Sequence, residues 1–156
     1  MKLRISQLTI VVIVAVPLFA FAKAQTRPDL NGTWKINPAQ SRFSDPDAAP
    51  KDVVLRLDQQ GPTLHETLTV VNAGGKSTVS LNYALNGGVS INNVDGEEIK
   101  STASWSGNTL VLEWRDHGGT FTRRFSFSEN GRKIAVNAHD TSPDGETDDL
   151  LVFEKQ

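Results

Sequence analysis

No cysteine occurs in the 156 residues. That absence excludes disulfide staples, a thiolate nucleophile, a cysteine-based zinc site and lipid attachment through a cysteine. Aromatic residues make up only 7% of the chain, with a single tyrosine, so their placement can be followed one by one. Positive charge is not in excess either: 16 Lys and Arg stand against 18 Asp and Glu. A chain so balanced has no electrostatic drive toward nucleic acid or an anionic membrane surface. Beyond residue 24 no long run carries apolar residues at three- and four-residue spacing, which argues against a helical architecture. There is no G-x-S-x-G elbow, and Ser, His and Asp show no spacing that marks a triad. No catalytic residue is assigned, and no cofactor is implied.

One long apolar run is present, and it lies at the start. Met1-Lys2-Leu3-Arg4 leads into Leu8 to Phe21, interrupted only by Thr9 and Pro17, and then Ala22-Lys23-Ala24. A basic start, an apolar run and an A-x-A site read as a secretory signal over residues 1–24, cut before Gln25. The run falls short of the ~20 residues that span a bilayer. The expectation is an exported protein with no membrane anchor after cleavage, periplasmic in a Gram-negative bacterium and secreted otherwise. Loss of Lys2, Arg4 and Lys23 leaves 13 basic against 18 acidic residues, a net charge of −5. Residues 25–156 then have the length of one domain, able to bury roughly two-thirds of its unfolded surface without staples.

That domain is punctuated by Gly61-Pro62, Ala73-Gly74-Gly75, Asn86-Gly87-Gly88, Asp95-Gly96, Ser106-Gly107-Asn108, His117-Gly118-Gly119, Glu129-Asn130-Gly131 and Pro143-Asp144-Gly145. Such clusters mark turns, and their short spacing is that of consecutive hairpins. Between them apolar residues alternate with period two, as in Val79/Leu81/Tyr83/Leu85, Leu110/Leu112/Trp114 and Ile134/Val136/Ala138. Strands are predicted over 32–37, 52–60, 63–71, 77–85, 89–94, 97–105, 109–115, 120–128, 133–139 and 147–154. Asn37-Pro38 is placed to cap a single helical turn. The predicted fold is all-β, an antiparallel up-and-down meander of about 8–10 strands closing into a barrel, because closure removes exposed edges. A sandwich is the alternative.

Several local patterns mimic sites. Gly75-Lys76-Ser77 imitates the end of a phosphate loop, but position 70 is valine and a strand follows, so a hairpin is expected. Asp140 to Leu151 places acids at calcium-loop offsets, yet the twelfth position is Leu151 where a bidentate Glu is required. His65, His117 and His139 have no ligand partners at metal-site spacing. No metal site is assigned.

Asp29-Leu30-Asn31-Gly32-Thr33-Trp34 opens the first strand, and a Gly-x-Trp there resembles the lipocalin-like (calycin) barrels. Leu30 to Asn37 also looks like the opening of small exported bacterial proteins of unsettled function. The resemblance implies that Gly32 and Trp34 are structural. Trp34 would plug the closed end of the barrel under a basic side chain from a late strand, either Arg124 or Lys155.

Two charges lie in apolar rows. Glu66 shares a face with Leu64, Leu68 and Val70, and Arg123 lies between Phe121 and Phe125. A charge on such a face is costly unless paired or solvated. Either the face is the outer one, or the pair neutralises itself inside, or it meets the polar end of a ligand. The candidate ligand-binding set is Arg123, Glu66, Tyr83, Trp105, Trp114 and Phe125. The leading expectation is a non-enzymatic binder of a small apolar or anionic amphipathic molecule. The alternative is a protein-interaction module, an inhibitor or envelope factor, with a filled barrel. An enzyme ranks third, for want of a catalytic constellation.

Overall fold

A computed structural model describes residues 27–156; the expected signal segment, residues 1–24, lies outside them. The described residues form ten strands: β1 Gly32–Ile36, β2 Asp52–Gln60, β3 Thr63–Asn72, β4 Gly75–Ala84, β5 Ser90–Val94, β6 Glu97–Ser106, β7 Thr109–Arg115, β8 Thr120–Phe127, β9 Lys133–Ser142 and β10 Gly145–Lys155. All pair antiparallel in one sheet, ordered β4-β3-β2-β1-β10-β9-β8-β7-β6-β5. Every strand therefore neighbours its sequence neighbours except across β4 and β5, while β1, the first strand, pairs with β10, the last. The result is a nearly closed barrel.

The strands arise where period-two rows can bury one face. β2 turns Val53, Leu55 and Leu57 inward, β7 turns Leu110 and Leu112, and β9 turns Ile134 and Val136, all buried. Turn chemistry sets the register. At the β5–β6 hairpin, Asp95 and Gly96 both take positive φ, 53° and 90°. That is the pattern of a two-residue turn whose twist matches its strands, and Val94 duly pairs with Glu97.

The gap between β4 and β5 is stitched by side chains where the backbone ladder fails. Asn92 Nδ2 donates to the Asn82 carbonyl (3.0 Å), and its Oδ1 accepts the Asn82 N–H (2.7 Å). Ser101 Oγ also donates to the Asn82 carbonyl (3.1 Å), and Ser90 Oγ accepts the Ala84 N–H (3.0 Å). Asn92 and Ser101 are buried, so they stand in for the missing strand pairing.

The long connection from β1 to β2 arches over one end of the barrel. Asn37 caps a turn through the Gln40 and Ser41 N–H groups, as its Asn-Pro sequence predicts. Arg42 then exchanges both backbone hydrogen bonds with Leu150 of β10, at 2.7 and 2.8 Å.

Candidate functional site

The end opposite that arch is plugged. Trp34 is fully buried, with its indole N–H 3.4 Å from the Leu30 carbonyl. Lys155, its register partner on β10, holds its ammonium 5.1 Å from the Trp34 ring centroid, a cation–π contact. Lys155, not Arg124, is the basic partner. Arg124 has the opposite parity to Arg123 and Phe125, and is exposed on the outer face. The glycine two residues before Trp34 has a role as well. Gly32 has φ +145°, and a Cβ there would lie 2.8 Å from the Lys155 side chain. Gly-x-Trp is thus the spacing that lets a late-strand lysine cross β1 and reach the ring.

Above the plug, one polar chain crosses the bore. β3 and β8 lie five places apart in the ring in either direction, so Glu66 and Arg123 project from opposite walls. Arg123 Nη1 donates to Glu66 Oε1 at 2.7 Å, and the Tyr83 hydroxyl donates to Glu66 Oε2 at 2.9 Å. Glu66 is only 2% exposed, a burial a carboxylate tolerates only with such partners. Burial, reinforced by the Glu66 charge, pushes the Tyr83 phenol well above its ordinary value, so it stays a donor. The Arg123 guanidinium lies 4.3 Å from the Trp114 ring centroid, and Phe121 stacks on the same indole at 5.0 Å.

Between this crossbar and the arch lies a cavity of about 410 Å³. Its walls are largely apolar: Val53, Leu55, Leu68, Val70, Trp114, Phe125, Val136, Ala138, Leu151 and Phe153, with Phe43 and Pro50 from the arch. Arg123 contributes the one cation of the lining; Asp45, Asp140 and Asp149 contribute carboxylates near the mouth. Asp149 Oδ1 accepts the Ser44 N–H and hydroxyl at 2.7 and 2.9 Å, which ties the arch to β10. Burial pushes the Asp140 carboxyl above the ordinary range against the opposing pull of Arg123, and the Asp149 charge pushes the same way as burial.

Three of the residues singled out from sequence, Arg123, Trp114 and Phe125, line this cavity. Glu66 and Tyr83 stand behind Arg123 and fix it rather than facing the space. Trp105 is elsewhere. It packs against Phe127 near the plugged end, 6.2 Å between centroids, with the Arg27 guanidinium 5.4 Å from its ring. Its buried indole N–H has no partner among the described residues.

Asp140 and Asp149 were not singled out as ligand contacts, although parity would have found them. Asp140 continues the inward row Ile134/Val136/Ala138, and Asp149 begins the row Leu151/Phe153. Both lie within the Asp140–Leu151 imitation of a calcium loop, which folds instead as a hairpin pairing Ser142 with Gly145. Gly75 and Lys76 likewise sit in a hairpin, paired with Asn72 and Val71. No cluster of three potential metal ligands occurs among the described residues.

Plug, crossbar, meander and cavity together define a nearly closed ten-stranded antiparallel barrel. No protein-family model matches the chain, and no curated protein matches it in sequence. Solved structures do match in fold. A secretory abundant heat soluble (SAHS) protein from Ramazzottius varieornatus superposes with a TM-score of 0.64 at 12% identity, over 85% of this chain and 98% of that one. The zebrafish ileal bile acid-binding protein, solved with cholic acid, gives 0.55 at 16% identity, over 81% and 98%. The fatty acid-binding protein of Drosophila melanogaster brain gives 0.52 at 18% identity, over 81% and 99%.

Proposed function

We propose that this protein is an exported, non-enzymatic binder of a small hydrophobic or amphipathic molecule, held in the cavity between the Arg123–Glu66 crossbar and the β1–β2 arch. The observation that carries the reading is the apolar lining of this space, drawn from side chains of the barrel interior. About 410 Å³ behind apolar walls lies within the ~300–1,000 Å³ typical of small-ligand sites. A well-packed domain keeps few voids larger than a water molecule. Fold neighbours that bear the names of bile acid- and fatty acid-binding proteins support the reading by analogy of fold. Export rests on the sequence of residues 1–24 alone. The interaction-module alternative draws on Val89 and Ile91, exposed beside the β4–β5 seam, but two side chains make a small patch.

The test is a titration with dodecanol, a neutral amphiphile, read by tryptophan emission. Trp114 faces the cavity and Trp34 and Trp105 do not. Binding should be saturable at one molecule per chain. The signal should vanish in Trp114→Phe and persist in Trp105→Phe. Absence of any saturable response in the wild type would sink the reading in favour of the interaction module.

A further inference from the structure

The cavity reading leaves open what the polar end of the ligand carries, and the charges of the lining address it. Arg123 is its only cation. Its charge is already met by Glu66 at 2.7 Å, and its face is laid on Trp114. The other charges of the lining are carboxylates, three against the one cation. Asp45 uses Oδ1 to accept the Asp47 and Ala48 N–H groups of its own turn. Asp149 uses one oxygen for Ser44 and keeps the other free. Asp140 has no hydrogen-bond or ion-pair partner among the described residues; it feels the charge of Arg123 first, then that of Asp149, which opposes it, and then that of His139.

An anionic head entering here would approach these carboxylates and compete with Glu66 for the one guanidinium. A cationic head meets the reverse. The unused acceptor oxygens of Asp140 and Asp149 suit the donors of an ammonium, and a partly desolvated site strengthens the attraction.

We infer that the ligand is a cationic amphiphile, its ammonium seated between Asp140 and Asp149 and its apolar body against the walls below. This rests on the cavity-binding reading and reverses the expectation of an anionic head.

Three matched probes below their micellar concentrations test it at neutral pH: dodecylamine, dodecanol and dodecanoate, each titrated by Trp114 emission. The amine should bind at least tenfold tighter than the alcohol, and the carboxylate more weakly than either. In the double variant Asp140→Asn/Asp149→Asn the ratio of amine to alcohol affinity should fall to about one. Retained alcohol binding certifies that the variant is folded. Equal affinities for amine and alcohol in the wild type, or tightest binding of dodecanoate, would overturn the cationic assignment and leave the binder intact. Failure of all three probes would overturn both.

Discussion

At the scale of single residues, the plugged end and the mouth each turn on one side chain. Trp34 is wholly buried, and Lys155 over its ring depends on the space left at Gly32. Trp34→Ala should cost about 3–5 kcal/mol of unfolding free energy, the range for large aromatic truncations in a core. A loss below about 1 kcal/mol in urea would mean that the plug is peripheral. Asp140 makes the opposite kind of prediction. Its folded value is raised, so the folded chain holds the carboxyl proton more tightly than the unfolded one. Its effect on stability is therefore most favourable at low pH, and is lost as pH rises from the ordinary value of 3.8 through the raised one. The groups that set this titration are the burial itself, Arg123, Asp149 and His139. Asp140→Asn removes the titration. The variant should gain on the wild type at pH 7, and the gain should shrink toward zero in strong acid. A difference that stays constant across thermal melts from pH 3 to 7 would show that Asp140 is solvated like any surface carboxylate.

At the scale of elements, the barrel's least regular join is the β4–β5 seam. One buried amide, Asn92, satisfies both the N–H and the carbonyl of Asn82, and its Nδ2 lies 2.8 Å from Ser101 Oγ. Asn92→Ala would strand the Asn82 N–H and leave its carbonyl with the Ser101 hydroxyl alone, so we expect a loss of about 1–3 kcal/mol. Faster hydrogen exchange should appear at the Asn82 amide and not in β8 or β9. Unchanged exchange at Asn82 would show that water replaces the side chain freely. The seam was not legible in the sequence. Period-two alternation says which face Asn92 occupies, but not that a strand ladder is missing beside it. The strands themselves were legible, since turn clusters and alternating rows mark all ten. The boundaries misplaced by more than one residue were those of β4, β9 and β10. β4 starts at Gly75, two residues before the predicted 77; β9 runs to Ser142 and β10 starts at Gly145. There, hydrophobic alternation gives way to a polar hairpin that continues the ladder without apolar markers. The same loss of markers hid Asp140 and Asp149. The parity that would have separated Lys155 from Arg124 was already present in the row Phe121/Arg123/Phe125.

For the whole molecule, the Glu66–Arg123 pair couples opposite walls of a barrel whose ring is closed by neighbour-to-neighbour ladders and the seam around one apolar core. It also forms the floor of the cavity, so stability and binding meet there. Arg123→Leu would leave Glu66, 2% exposed, as an uncompensated buried charge. Breaking such a pair from one side costs about 3–5 kcal/mol. The penalty belongs to the stranded charge more than to the lost contact, so removing the charge should relieve it. Glu66→Gln keeps an oxygen to accept the Tyr83 hydroxyl while discharging the site. The double variant Arg123→Leu/Glu66→Gln should therefore recover at least half of the loss, and Glu66→Gln alone should cost less than Arg123→Leu alone. A double-mutant cycle in urea measures the coupling directly. Two outcomes would contradict the crossbar. One is a coupling near zero with Arg123→Leu costing under about 1 kcal/mol, as for a pair that water screens. The other is additive losses in the double variant, which would assign the stability of this layer to the packing of Arg123 on Trp114 rather than to the charge that spans the bore.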